Sequence, residues 1–303
     1  ARSAGRRDRR TVGVVTSASD ATDAFVAHRN LLFTVAYEML GSAADAEDVL
    51  QETWLRWADV ELTEVRDVRA YLVRITTRLS LNRIRSLSRR RESYVGPWLP
   101  EPLLTSPDVA EDVELADSVS TAMLLVLETL SPTERAVFVL REVFDLPYDE
   151  IAAAVDKTPA AVRQIAHRAR SHVEARRPRE TVGGRERDAV IERFMAAVAT
   201  GDLQSLMDVL APDVVLITDG GGVKQAALRP IQGVEKVLRF LVAVTPADAD
   251  NRAEPVWVNG HLGLRLISDD VLDTIATIRI DGDRVTGLYF VRNPHKLARV
   301  DEE

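Results

Sequence analysis

Residues 131–174 read SPTERAVFVLREVFDLPYDEIAAAVDKTPAAVRQIAHRARSHVE, and this stretch decides how the rest of the 303-residue chain is read. Ser131-Pro132-Thr133-Glu134 is a capping box with proline at the first helical position. A break at Asp145–Pro147 precedes a short helix over 148–155. Asp156-Lys157 makes a turn, and Thr158-Pro159 repeats the cap-plus-proline start of a longer helix. On that helix Val162, Ile165, Ala166, Ala169 and Val173 share one face. Ala160, Arg163, Gln164, His167 and Ser171 share the other. Helix, tight turn, then a helix with small and basic residues near its start is a helix-turn-helix. Arg163 and Gln164 can reach purine edges in a major groove. Lys157, Thr158, His167 and Arg168 flank them, and Lys157 or Arg168 can hold phosphates. The rival is an ordinary helical hairpin with a solvated basic face.

Upstream, the 43–57 segment places Ala46, Val49, Leu50, Thr53, Trp54 and Trp57 at helical spacing. Phe25, Leu32, Val35, Ala36 and Met39 form a similar stripe one helix earlier. A third helix, 69–89, carries Arg74, Arg78, Asn82, Arg85 and Arg89 on one face, with Leu72, Ile75 and Leu79 beside them and Tyr71 at its start. An arginine stripe next to an aromatic suits phosphates and unstacked bases, although charge runs are also often merely solvated.

Between these modules lies a connector in which Gly96, Pro97, Pro100, Pro102 and Pro107 forbid a continuous helix. Downstream of a second break at 178–184 the period changes. Segments 214–218, 255–258, 262–267, 271–280 and 284–291 are short and β-prone. Asn259-Gly260 and Asp281-Gly282 are read as two-residue hairpin turns. Helices are expected near 188–199, 203–210 and 234–244. The reading is an α+β domain, a curved antiparallel sheet with helices on one side.

Charge follows the same division. The chain has 47 acidic and 39 basic side chains, a formal net charge of −8. Residues 66–91 hold nine arginines against Asp67, residues 101–117 six acids and no base, and residues 157–177 six bases against Glu174. From Gly201 onward sixteen acids face eleven bases. The net charge therefore excludes a protein that coats nucleic acid but not one with local basic readers. The absence of cysteine excludes disulfides, thiolate zinc sites and a cysteine nucleophile, and fits a reducing cytosol. Neither a membrane span nor a secretory signal is expected.

Asp45-Ala46-Glu47-Asp48-Val49-Leu50-Gln51-Glu52-Thr53-Trp54, followed by the arginine helix and the helix-turn-helix, resembles bacterial ECF (extracytoplasmic-function) sigma factors. Ala70-Tyr71-Leu72-Val73-Arg74-Ile75 is similar to their promoter-melting helix. Leu130-Ser131-Pro132-Thr133-Glu134-Arg135 and Leu146-Pro147-Tyr148-Asp149-Glu150-Ile151-Ala152 are similar to their −35-reading domain. The resemblance implies that Asp45, Glu47, Asp48, Leu50, Gln51, Glu52 and Trp54 dock on the clamp helices of the RNA polymerase β′ subunit, with Leu50 and Trp54 as an apolar seam. Either Trp54 or Trp57 then belongs to the core. Tyr71, Arg74, Arg78, Asn82 and Arg85 would hold the melted −10 strand, and Arg163 with Gln164 would read the −35 duplex. Acidic residues 101–117 would thread the polymerase channel.

Tyr94-Val95-Gly96-Pro97-Trp98-Leu99-Pro100-Glu101-Pro102 resembles the subgroup with a fused C-terminal SnoaL-like domain, a cone-shaped α+β fold. Asp219-Gly220-Gly221-Gly222 and Asn293-Pro294-His295-Lys296-Leu297 look like its two signature motifs, with His295 where an aspartate is typical. Trp98, Pro100 and Glu101 would meet those motifs in a regulatory contact in cis, which a histidine at 295 could make pH-sensitive. The expected organisation is a flexible tail to 19, sigma domain 2 over 20–92, a linker to 115 and sigma domain 4 over 116–178. A second linker to 186, the SnoaL-like domain over 187–297 and a tail to 303 follow. The expected function is promoter-specific initiation with core polymerase, without enzymatic activity, cofactor or metal. SnoaL-like cones also resemble isomerases and polyketide cyclases. The rival readings are therefore a DNA-binding regulator independent of polymerase, or one whose cone senses a small ligand or acts catalytically through Asp219, Asp273 or His261.

Overall fold

The computed structural model describes residues 15–61, 65–91, 93–105, 120–176, 184–244 and 251–301. The acids of the connector at 108, 111, 112, 114 and 117 lie outside the described residues, as do residues 1–14 of the expected tail. Among the described residues no helix is long and apolar enough to cross a membrane.

Three helices form the first module: α1 (Val15–Leu40), α2 (Ala43–Ala58) and α3 (Val68–Arg91). The expected tail is thus shorter, because 15–19 already belong to α1. The α1 stripe at Phe25, Leu32, Val35, Ala36 and Met39 is buried throughout. On α2, Ala43, Ala46, Val49, Leu50, Thr53 and Trp57 face inward, and the Ser42 side chain accepts from the Asp45 backbone N–H as N-cap. Trp57 is completely buried and donates its indole N–H to Ala21 O at 2.8 Å.

The second module holds α4 (Thr121–Glu128), α5 (Pro132–Phe138), α6 (Tyr148–Val155) and α7 (Pro159–Glu174). The capping box at Ser131 and Glu134 is formed, and α5 runs on into a π-helical turn at Val139–Val143 before the break. Asp156 takes φ 56° between α6 and α7, and the Thr158 hydroxyl accepts from Ala161 N at 3.2 Å. The five predicted core positions of α7 are its buried residues. Helices of both modules bury into one continuous apolar core, from Phe25 and Leu72 to Ile151 and Val173.

The C-terminal part is α8 (Gly184–Thr200), α9 (Leu203–Val209), β1 (Leu210–Asp219), β2 (Ile231–Gln232), α10 (Val234–Val244), β3 (Asn251–Val258), β4 (His261–Ser268), β5 (Val271–Asp281), β6 (Arg284–Val291) and α11 (Pro294–Asp301). Helix α8 starts inside the expected second linker, and α11 occupies most of the expected tail. The sheet order is β2-β1-β6-β5-β4-β3. It is antiparallel except at β1–β6, which pair in parallel. This departs from a purely antiparallel reading, because strand direction across a long connection leaves no local sequence signal. Asn259 and Gly260 both have positive φ, as expected of their turn. The β5–β6 turn is instead Gly282-Asp283, closed by the pair Asp281 and Arg284, with positive φ at Gly282 alone, the pattern of a II′ turn. Asp269-Asp270, both at positive φ, form a third hairpin turn between β4 and β5 that composition did not single out.

Alternation along the strands divides the sheet. Ala276 and Leu288 point into a core with Val190, Phe194 and Val237 from α8 and α10. Ile275, Tyr289 and Val291 point to the other face, where they meet Leu99, Leu297 and Val300, with Ala122 and Leu125 of α4 packed alongside. The second face of the sheet is therefore covered by the connector, by α11 and by α4 of the second module.

Candidate functional site

The connector residues 94–105 lie between the first module and that second sheet face. The grip begins at Asp219, the last residue of β1, whose side chain is fully buried. Its Oδ1 accepts the Tyr94 hydroxyl at 2.6 Å and the Gly221 N–H at 3.0 Å. Its Oδ2 accepts the Leu99 N–H at 2.8 Å and the Lys296 ammonium at 2.7 Å. Lys296 also donates to Leu99 O and lies 4.2 Å from the Trp98 ring centroid. A buried carboxylate needs such a cation and donor set to stay charged. Burial, then the hydrogen bond to Asp219, pushes the Tyr94 phenol well above its ordinary range, so it remains a donor. Asn293 completes the set by donating to the Tyr94 oxygen at 2.9 Å.

The glycines have a steric reason. A Cβ on Gly220 would lie 2.1 Å from Lys224 O, and one on Gly221 would lie 2.3 Å from Asn293 Nδ2. Gly222 comes close to Val95, 3.2 Å from where its Cβ would be. Asn293 Oδ1 also accepts from the His295 N–H, fixing the start of α11. The His295 side chain itself is exposed, so residue 295 engages the motif through its backbone. This corrects the expectation of a side-chain contact there.

The other side of the connector is held by the first module. Gly41, at φ +65°, ends α1, and a Cβ there would strike Trp98 at 2.6 Å. Glu101 is buried. Its N–H donates to Gly41 O at 2.8 Å, and its carboxylate accepts from the Ser42 hydroxyl at 3.0 Å and the Ala44 N–H at 3.3 Å. Tyr37 donates to Glu101 O at 2.7 Å and accepts from Asn259 Nδ2 at 2.6 Å, joining α1, the connector and the β3–β4 turn. Asn259 N donates to Leu103 O at 2.8 Å, and Thr105 N to Trp257 O at 3.1 Å, so the connector pairs with the end of β3. Pro100 lacks an N–H and is buried between the residues gripped from either side. Pro294 occupies the first position of α11.

The other predicted residues fall on two surfaces. Arg163, Gln164, His167 and Arg168 are exposed on α7, and Lys157 and Thr158 are exposed in the turn that leads into it. The Arg163 guanidinium lies 6.0 Å from the Tyr148 ring and Arg168 pairs with Glu134 at 3.8 Å. On α3, Arg74 stacks 4.9 Å over Tyr71, and Arg85 donates to Asn82. Arg78 points into the neighbouring module, donating to Ala153 O at 2.9 Å at the end of α6. On α2, Leu50 is 2% exposed and belongs to the core, so it forms no seam for a partner. Trp54 is half-buried against Phe25. The outward face is Asp48, Gln51, Glu52 and Leu55, the last 65% exposed. Asp45 and Asp48 pair with Arg83, and Glu47 with Arg29. Sequence reasoning missed Tyr37, Gly41, Ser42 and Asn259. Gly41 after an apolar helix was the one local signal, and it pointed only to a helix end.

Two family models match this chain, Sigma-70 region 2 over residues 24–90 and Sigma-70, region 4 over residues 120–173. The ECF RNA polymerase sigma factor SigJ of Mycobacterium tuberculosis is 37% identical over 289 residues, covering 90% of this chain and 92% of that protein. The chain belongs to the ECF RNA polymerase sigma factors. The crystal structure of M. tuberculosis SigJ matches this ECF sigma factor with a TM-score of 0.74 at 33% identity, over 91% of this chain and 98% of that one. The probable ECF sigma factor SigI of M. tuberculosis is 38% identical over 194 residues, 63% of this chain and 67% of its own. The sigma factor therefore has regions 2 and 4 followed by an α+β domain. It directs transcription by binding RNA polymerase core and promoter DNA.

Proposed function

We propose that the SnoaL-like domain controls initiation in cis by gripping the connector, and so sets how regions 2 and 4 are placed against each other. The observation that carries this is Asp219, a fully buried carboxylate whose partners Tyr94 and Leu99 come from the connector. In this arrangement Arg78, a member of the −10 stripe, is occupied by the carbonyl end of α6. Strand capture by α3 then requires the two regions to part, and the grip on 94–105 opposes that.

The finer assignments follow. Gln51, Glu52 and Asp48 meet the β′ clamp helices, with Asp45 and Glu47 held by their arginines and Trp54 at the margin. Tyr71, Arg74, Arg78, Asn82 and Arg85 hold the −10 strand. Arg163 and Gln164 read −35 base edges, while Lys157, Thr158, His167 and Arg168 hold the backbone around them. The C-terminal domain acts as a non-catalytic regulator. Two of the acids that a cyclase-like chemistry would use are committed to cations, Asp219 to Lys296 and Asp273 to Arg292 and Lys224. At Asp273, against the effect of burial, the hydrogen bonds from Arg292 and Lys224 hold the carboxyl below its ordinary range, which suppresses the basicity that proton abstraction requires.

The test is run-off transcription with core polymerase on a promoter panel that includes the DNA upstream of this protein's own coding sequence. The full chain is compared with Asp219→Asn and with a truncation near Pro178. Asp219→Asn should raise promoter-dependent transcript severalfold at unchanged core affinity. Output equal to the parent would sink the regulatory reading, and no transcript from any form would sink the specific assignments of promoter contacts.

A further inference from the structure

The carboxylate of Asp273 lies behind the grip, on β5, and none of the roles above uses it. It accepts a two-pronged contact from Arg292, Nε to Oδ2 and Nη2 to Oδ1, each at 3.0 Å. Lys224 Nζ donates to Oδ1 at 2.9 Å and the Thr274 hydroxyl to Oδ2 at 2.7 Å. These partners belong to the C-terminal domain. What matters is where they sit. Lys224 and Gln225 lie in the loop that leaves Asp219 and carries Gly220, Gly221 and Gly222. Arg292 immediately precedes Asn293 and reaches that same loop, donating Nη1 to Gln225 O at 2.6 Å. Its backbone N–H donates to Asp219 O at 2.7 Å.

One carboxylate therefore ties together the two segments that carry the grip. The first is the loop whose glycines let Asn293 and Val95 approach. The second is the 292–296 segment that supplies Asn293 and Lys296. The fit there is tight, since a Cβ on Gly221 would already clash with Asn293. A shift of the loop by a fraction of an ångström would spoil the hydrogen bonds to Tyr94, which have narrow geometric tolerance. The fork of an arginine against a carboxylate fixes direction as well as distance.

We propose that Asp273 is a positioning residue for the connector grip: through Arg292 and Lys224 it holds the 220–225 loop and the 292–296 segment in register, and so sets how firmly Tyr94 and Leu99 are bound. This rests on the regulatory reading of the grip for its consequence, but its geometry can be tested separately. Asp273→Asn keeps the shape of the side chain and removes the charge that orders both cations. Arg292→Lys keeps a charge and loses the fork, and Lys224→Gln removes the second cation.

The experiment is amide hydrogen exchange on the full-length variants, with Asp219→Asn as the benchmark, paired with run-off transcription. Asp273→Asn should speed exchange of the 94–101 peptide at least tenfold, toward the benchmark. Peptides of β5 and β6 away from the site should stay within about twofold, since local opening leaves the remaining ladder protected. Arg292→Lys should give a smaller effect in the same direction. If Asp219→Asn loosens 94–101 and Asp273→Asn and Arg292→Lys do not, the positioning role is overturned. It is equally overturned if the sheet and the connector lose protection together, which is the mark of a merely structural residue. Should Asp273→Asn not fold, Arg292→Lys and Lys224→Gln decide by the same readout. If exchange behaves as expected while transcription stays at the parent level for Asp219→Asn as well, the regulatory reading fails and the positioning role stands.

Discussion

At the scale of the residue, the strongest commitments are buried polar groups with full sets of partners. Tyr94→Phe removes one hydroxyl and leaves Asp219 and Asn293 each short of a bond. The expected cost is about 1–3 kcal/mol, read as faster amide exchange at 94–101 and a lower midpoint in urea. Leu50 and Gln51 are neighbours in sequence with opposite fates. Leu50→Ala opens a cavity in the core and should cost about 2–5 kcal/mol of stability. Gln51→Ala should leave stability within about 0.5 kcal/mol and instead weaken binding to core polymerase. Equilibrium denaturation alongside a core-binding titration separates the two, and equal stability losses would show that α2 is turned differently. Asp273 carries a pH signature. Burial raises its pKa, but hydrogen bonds from Arg292, Lys224 and Thr274 more than offset that and hold it at about 2. A carboxyl depressed in the folded state contributes stability above its unfolded value near 4, and that contribution is lost as pH falls toward 2. Asp273→Asn should therefore flatten the stability profile across that acid window, measured as urea midpoints against pH.

At the scale of the element, capping decides where the helices of the DNA-reading module begin. Ser131 with Glu134 and Thr158 each satisfy an N–H that the helix start leaves open. The Ser131 hydroxyl also holds the Glu134 carboxyl below its ordinary range. Thr158→Ala should cost about 1 kcal/mol and fray the turn that presents Arg163 and Gln164. It should thus weaken −35 duplex binding more than Thr158→Ser does, in a mobility-shift titration. The sheet shows alternation at work. Adjacent residues such as Ile275 and Ala276 serve opposite faces, so one strand supplies both a domain core and a docking surface. Leu99, fully buried on that surface, contributes about 1.5–3 kcal/mol of transfer free energy to the grip.

At the scale of the whole molecule, regions 2 and 4 are locked by more than apolar contact. Arg135 is 4% exposed and donates to Met39 O at the end of α1 and to Glu128. The bond to Met39 O is the one that crosses between the regions, and losing a charged donor to a buried carbonyl costs about 1.5–3 kcal/mol. Arg135→Met should therefore separate the two regions more readily. Small-angle scattering should report a larger radius of gyration, and hydrogen exchange should rise on the facing parts of α1 and α5. Unchanged dimensions would mean that the shared core alone holds the regions together.

Much of this was legible in the chain. Periodicity located the stripes of α1 and α7 and the limits of α10 and β6, because a helix or strand buries residues at fixed spacing whatever it packs against. Cap and proline pairs set the starts of α5 and α7, and the charge blocks separated the basic readers from the connector. The resemblance pointed to Trp98, Asp219, Asn293 and Lys296 as residues that belong together. What sequence could not supply was relation across distance. Leu50 looked like a seam because an apolar stripe does not say which of its members faces a partner. The parallel β1–β6 pairing, the third hairpin turn, and the joining of Tyr37, Glu101 and Asn259 depend on strands and loops brought together by folding. The sequence by itself determined which segments become helices and strands and which residues are chemically able to grip, since those are local properties of spacing and side-chain type. The tertiary structure alone decided what each grips, because hydrogen-bond partners more than a hundred residues apart are chosen by packing.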